Sequence, residues 1–286
     1  MTKTKNILLP TDFSENSRNA IQYAIKLFEK VDCRFYVLNA FQVSTSGLSN
    51  TMNMAKDTRL YKIVKEESER NITAIVKVLE TNNKNPLHSF EGLSLYEPLL
   101  DAIGRTTIDK NIYYIIMGTK GSSAIKEVFM GSSTVKVLKH IDFCPIIAVP
   151  ENYRFKQFQE IAFATNFEHT YLEAELVPLI EMAKLWNADI SVVHVDTGKE
   201  LSTTQLNHRT LLKKRFGSVP VDFKEIEGST KISMAIRQYA EENEKIGLIS
   251  MVNYWHSFFE KLTHEAVVQK VTFSTKVPFL ILPLIE

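Results

Sequence analysis

The sequence predicts an α/β protein of two tandem modules, each a mostly parallel sheet with helices on both faces. Three observations carry this. Apolar runs of strand length alternate with amphipathic runs of helix length along the chain. The order of these runs restarts near residue 160, and internal repetition decides architecture before any single motif does. A chain of 286 residues is also at the edge of what one core supports, since domains run to roughly 100–200 residues each.

NILLP at 6–10 reads as the first strand. The stretch from Ser14 to Lys30 reads as a helix, with Ala20, Ile21, Ala24, Leu27 and Phe28 at helical spacing and Ser14 as N-cap; core packing explains this stripe. RFYVLNAF at 34–41, a long helix around 55–80, and NPLHSF at 85–90 follow. LYEPLLDAIGRTTIDK, IYYIIM at 112–117, a helix around 132–140 and PIIAVP at 145–150 complete the first copy.

The second copy opens with EIAFATNF at 160–167. ILLPTDF at 7–13 aligns with IAFATNF at 161–167, an offset of 154. FEG at 90–92 meets IEG at 226–228, and CPIIAVP at 144–150 meets VPFLILP at 277–283, an offset of 133. The expected boundaries are therefore a first module over 1–150 and a second over 160–286. Between them ENYRFKQFQ, residues 151–159, is too short for a free tether and reads as a connector between packed halves.

Composition excludes several classes. Hydrophobic residues make up 44%, charged residues 23%, and the net charge is +1, which argues against an acidic tail, a polybasic arm or a dominant nucleic-acid surface. MTKTKNILLP lacks the apolar segment of a signal peptide, and no run reaches the ~18 apolar residues of a membrane span, so a cytoplasmic, membrane-free protein is expected. Cys33 and Cys144 stand in apolar neighbourhoods, as buried thiols of a reducing compartment do. The seven histidines form no H-x-x-x-H or H-E-x-x-H pair, so no metal site is argued.

The run MGTKGSSAIKEVFMGSST at 117–134 holds three of the ten glycines. It fits neither the G-x-x-x-x-G-K-[ST] phosphate loop nor the G-x-G-x-x-G dinucleotide fingerprint. Gly118 follows a strand directly, where ligands of parallel α/β sheets sit. Gly118 and Gly121 are expected to adopt positive φ and present backbone N–H groups to an anion. Gly131, Ser132 and Ser133 open a helix, where unpaired amides and the macrodipole favour phosphate. Lys120 and Lys126 are placed to neutralise a triphosphate, with plain solvation as the alternative for each.

The spacing G-x-x-G, nine residues, then G-S, carried by Gly118, Gly121, Gly131, Ser132 and Ser133, resembles the ATP-binding pattern of the universal stress protein family. NILLPTDFSENS resembles that family's first strand and loop; the likeness covers the first 150 residues well and the second half more weakly. The resemblance implies a doubly wound, Rossmann-like fold of five mostly parallel strands per module. It also implies ATP with Mg²⁺ over the carboxyl edge, and pairing of modules through their last strands. Carried over residue by residue, Asp12 faces the adenosine, Pro10 and Thr11 shape the turn, and the backbone near Asn39, Ala40 and Phe41 meets the adenine edge. Capping of the following helix is the alternative role for Asp12.

An offset of 133 carries Gly118 to Met251, Gly121 to Tyr254, Gly131 to His264, Ser132 to Glu265 and Ser133 to Ala266, while Asp12 becomes Asn166. A nucleotide is therefore expected in the first module only, with NYWHSFF at 253–259 either filling the vacated space or forming a ligand or partner surface. No nucleophile, base or metal constellation is visible; Ser122, Ser123, Ser132 and Ser133 lie outside any G-x-S-x-G elbow, and Glu127 either orients a water for slow hydrolysis or, the safer reading, is a solvated surface glutamate. The expected function is an ATP-binding stress-response regulator whose second module is a permanent partner. The alternatives are a weak ATPase and a nucleotide-free scaffold. Expected partners are an adenine nucleotide, the paired module within the chain, and outside it a second copy or another protein. QVSTSGLSNTMNMAKD at 42–57 is a flap over the site or a plain surface loop.

Overall fold

A computed structural model describes residues 4–43, 59–120, 131–196, 198–227, 232–253 and 275–285. In the first half, β1 (Lys5–Pro10), β2 (Cys33–Ala40), β3 (His88–Leu95), β4 (Ile112–Gly118) and β5 (Ile146–Val149) alternate with α1 (Glu15–Leu27), α2 (Arg59–Asn82), α3 (Leu99–Asp109) and α4 (Ser132–His140). In the second, β6 (Glu160–Ala164), β7 (Asp189–Asp196), β8 (Val221–Glu227), β9 (Ile246–Val252) and β10 (Phe279–Leu282) alternate with α5 (Glu173–Trp186), α6 (Thr203–Arg215) and α7 (Ile232–Glu242).

All ten strands form one sheet in the order β3-β2-β1-β4-β5-β10-β9-β6-β7-β8. Each half has the same internal order, and every pairing is parallel except the seam, where β5 and β10 run antiparallel with Ala148 opposite Phe279 and Ile146 opposite Ile281. Strands with both faces covered read as continuous apolar runs. Accordingly Ile7 and Leu9 enter one core while Leu8 enters the other, and Ile147 and Val149 separate from Ile146 and Ala148 in the same way. Both cores contain residues of both halves, so neither half owns its apolar interior.

Local chemistry sets the element ends. Ser14 caps α1 by accepting the N–H of Ser17 at 3.2 Å, and Ser202 with Gln205 forms a capping box on α6. The helix α5 crosses to the first half: its Glu181 takes Lys5 at 2.6 Å and the Tyr113 hydroxyl, its Pro178 carbonyl accepts the Tyr114 hydroxyl at 2.9 Å, and Trp186 donates to the Leu27 carbonyl at 3.2 Å.

Residues 151–159 pack against both halves. Asn19 on α1 donates to the carbonyls of Pro150, Glu151 and Tyr153, and Phe155 lies against Tyr23 and Trp186. Phe158 lies so close over Gly247 that a Cβ there would come within 2.3 Å of it. Strand β3 runs beyond its expected stretch, to Leu95. Among the described residues no helix is long and apolar enough to cross a membrane.

Candidate functional site

In the order β3-β2-β1-β4-β5, the order in which strands are added reverses between β1 and β4, which pair in parallel. Such a switch point opens a crevice at the carboxyl ends of the strands, because the helices following the two strands leave on opposite faces. Pro10, Thr11 and Asp12 lie at the end of β1, Ala40 at the end of β2, and Gly118 at the end of β4. Three neighbouring strand ends thus bring half of the expected site residues to one edge.

The β1 turn is held by its own side chains. Thr11 donates its N–H to the Leu38 carbonyl at 2.8 Å, and its hydroxyl oxygen accepts the N–H of Phe13 at 3.0 Å. Phe13 has a φ of 64°, a conformation costly for a bulky side chain and kept by these bonds. Asp12 Oδ1 accepts the N–H of Ser14 at 3.1 Å and its hydroxyl at 2.6 Å, so Asp12 braces the residue that caps α1.

The second half repeats the backbone bonds of this turn, without a counterpart of the Ser14 hydroxyl bond. Thr165 donates to the Val193 carbonyl at 3.0 Å and accepts from Phe167 at 2.9 Å; Phe167 has a φ of 58°, and Asn166 Oδ1 accepts the N–H of Glu168 at 3.1 Å. Asn39 donates to the Thr11 carbonyl at 2.8 Å, and His194 Nδ1 lies 3.0 Å from the Thr165 carbonyl.

The ends of the glycine run are joined. Gly131 donates its N–H to the Thr119 carbonyl at 2.6 Å, and Thr134, 2% exposed, donates its hydroxyl to the Gly118 carbonyl at 3.0 Å. The Gly131 amide is therefore spent within the fold. Ser132 and Ser133, both exposed, open the first turn of α4, where a helix leaves its N–H groups without intrahelical partners. Residues Gly121, Ser122, Ser123, Lys126 and Glu127, most of the 42–57 flap, and Tyr254, Trp255, His264, Glu265 and Ala266 lie outside the described residues.

Two expectations change. Gly118 does not have positive φ; among the described glycines Gly198 and Gly217 do. Its missing side chain instead admits Asn16, whose Cγ would lie 2.9 Å from a Cβ at this position. Asn16, which no motif marked, donates to the Lys120 carbonyl at 2.7 Å and so fixes how the chain leaves β4. The second change is one of register. Ile115 pairs with Ile146 and Ile249 with Phe279, so Gly118, opposite Val149, corresponds to Val252, opposite Leu282, and not to Met251. The second half still has no glycine there, and Val252 carries a side chain where Gly118 has none.

Lys120 pairs with Glu151 at 3.1 Å, at the rim of a groove of about 630 Å³ along the seam. No cluster of three or more histidine, cysteine, aspartate or glutamate side chains able to hold a metal occurs among the described residues.

The repeated strand order, with a switch point in each half of a mostly parallel sheet, defines a doubly wound α/β protein. The sequence model of the universal stress protein family matches residues 3–150, and the chain belongs to that family. The universal stress protein MJ0531 of Methanocaldococcus jannaschii is 23% identical over 150 residues, 51% of this chain and 81% of that protein. A universal stress protein from Archaeoglobus fulgidus shares the fold over 97% of this chain and 96% of its own, with a TM-score of 0.67 and 18% identity. PA1789 of Pseudomonas aeruginosa, a functionally unknown protein, does so over 98% and 92%, with a TM-score of 0.56 and 13% identity.

Proposed function

We propose that the chain is an ATP-binding regulatory protein of two tandem modules, 1–150 and 160–286, joined by 151–159. The first module holds the nucleotide and the second is its permanent partner across the β5–β10 seam. The observation that supports this reading is the joining of Gly118 to Thr134 and Thr119 to Gly131, which ties the first turn of α4, with Ser132 and Ser133, to the end of β4. These residues fit a polyphosphate, which helix N-termini bind through unpaired N–H groups and the macrodipole.

Asp12, with Pro10 and Thr11, borders the nucleoside end, and the backbone at Ala40 borders the base. ATP enters as its Mg²⁺ complex, the metal being carried by the phosphates. The setting is cytoplasmic, and nucleotide occupancy biases how the modules engage a protein partner or a second copy. This bias requires the nucleotide to favour one arrangement over another.

Calorimetry on the full chain tests the reading. One ATP per chain is expected, lost in Gly131→Glu, which sets a carboxylate against the α4 N-terminus. No binding, or two equivalent sites, would overturn it. Nucleotide released by denaturing the purified protein separates the alternatives: intact ATP supports the regulator, ADP or AMP a weak ATPase, and none the scaffold.

A further inference from the structure

We propose that the outer face of the first module carries a site for an apolar monocarboxylate, such as a fatty acid, between α1 and α2. A cavity of about 390 Å³ opens there. Its size lies at the lower end of small-molecule sites, which run to roughly 300–1,000 Å³. Buried Ile21 and Leu79, partly buried Phe13 and Ile75, and the exposed Val78 give it apolar walls.

Its polar groups are few and unspent. Arg18, Gln22 and Asn71 line the same cavity, and none of their side chains has a partner among the described residues. Arg18 brings the only charge among the described lining residues. A guanidinium and two amides beside apolar walls suit a ligand that is apolar along its length and ends in one negative group. Arginine grips such a group with two parallel hydrogen bonds when it is a carboxylate.

The second half shows that the fold does not impose this opening. Arg18 and Leu176 hold the same place counted from the helix starts Glu15 and Glu173, and Ile75 and His208 the same place counted back from the helix ends Asn82 and Arg215. Leu176 is fully buried, whereas Arg18 is exposed. Only Ser14 separates Phe13 from α1, but the residues from Glu168 to Leu172 separate Phe167 from α5. His208 holds this longer link, with Nδ1 2.9 Å from the Phe167 carbonyl and Nε2 2.7 Å from the Thr170 hydroxyl. Phe167 itself is buried against His194 and Phe223. The second module thus covers with its own chain and an apolar side chain the place that the first leaves open beside a cation. Pro10, Asp12, Ala40 and Gly118 are not among the described lining residues of this cavity, so the site is independent of the nucleotide reading.

Calorimetry with decanoate on the full chain, below the micellar concentration, tests the proposal. One decanoate per chain is expected to bind, and decanol about 10-fold more weakly, because it lacks the charge that Arg18 meets. Arg18→Gln is expected to weaken decanoate about 10-fold and to erase its advantage over decanol. Ala74→Trp, at an exposed lining position on α2, is expected to abolish binding of both. Both substituted positions are exposed, so the variants should keep the wild-type circular dichroism. No decanoate binding, several molecules per chain, an advantage over decanol that survives Arg18→Gln, or indifference to Ala74→Trp would overturn the proposal. A chain that takes no decanoate but forms a dimer dissolved by Ala74→Trp would overturn it in favour of a second copy as the cover.

Discussion

The Thr134 hydroxyl donates to the Gly118 carbonyl at 3.0 Å, tying the first turn of α4 to the last residue of β4 across 16 positions. Thr134→Val keeps the shape and leaves that carbonyl buried without this donor, a loss of about 1–3 kcal/mol. Denaturant unfolding is expected to show this, and calorimetry a weaker ATP affinity. Unchanged ATP binding in the destabilised variant would detach the tie from the site.

Gly118→Ala drives a Cβ into Asn16. Overpacking of this kind costs about 1–3 kcal/mol. The clash predicts coupling, so the alanine should cost clearly less in an Asn16→Ala background than alone. A double-mutant cycle measures this, and additivity would show that Asn16 is not the obstacle.

Phe279, 1% exposed at the seam, packs in a core shared by both halves. Phe279→Ala is expected to cost about 3–5 kcal/mol. Because the apolar interior is common, the variant should still unfold in one transition, seen alike by circular dichroism and Trp fluorescence. Two separated transitions would show that the halves melt independently.

Glu175, fully buried, accepts the N–H groups of Leu172 at 2.7 Å and Ile285 at 3.1 Å and lies 3.0 Å from His169 Nε2. Burial pushes its carboxyl up, but the hydrogen bonds from His169, Ile285 and Leu172 outweigh it and hold the group below its ordinary value. The unfolded chain then binds the proton more readily. The stability Glu175 contributes is full above the unfolded value of about 4.3 and is lost as pH falls through the lower folded one. Wild type should therefore lose stability more steeply than Glu175→Gln below about pH 4.5, in urea melts across pH. Parallel curves would refute the assignment.

Burial pushes the Cys144 thiol up to about 12, and burial together with the nearby Asp32 charge does the same at Cys33. Neither forms the thiolate that reacts. A thiol reagent at pH 8 should label neither in the native chain and both after denaturation; rapid native labelling of either would contradict its burial.

The element order, the restart at residue 160, the Ser14 cap, the packed connector and the buried cysteines are all legible in the sequence. Each depends on periodicity or on neighbours within a few positions. The candidate site was legible as spacing, in Gly118 and Gly131, but the uses of these glycines were not. Asn16 sits 102 positions before Gly118 and carries no motif, and Gly131 spends its amide on Thr119.

By itself the sequence determined which segments are strands and helices, that their order repeats, and which strand ends are candidates for an anion. Only the tertiary structure decided that the ten strands share one sheet, that Gly118 matches Val252, and that Gly118 yields its side-chain space to Asn16. Backbone preference acts over a few residues and is written locally. Register and close approach are settled by atoms that meet only after the chain has folded.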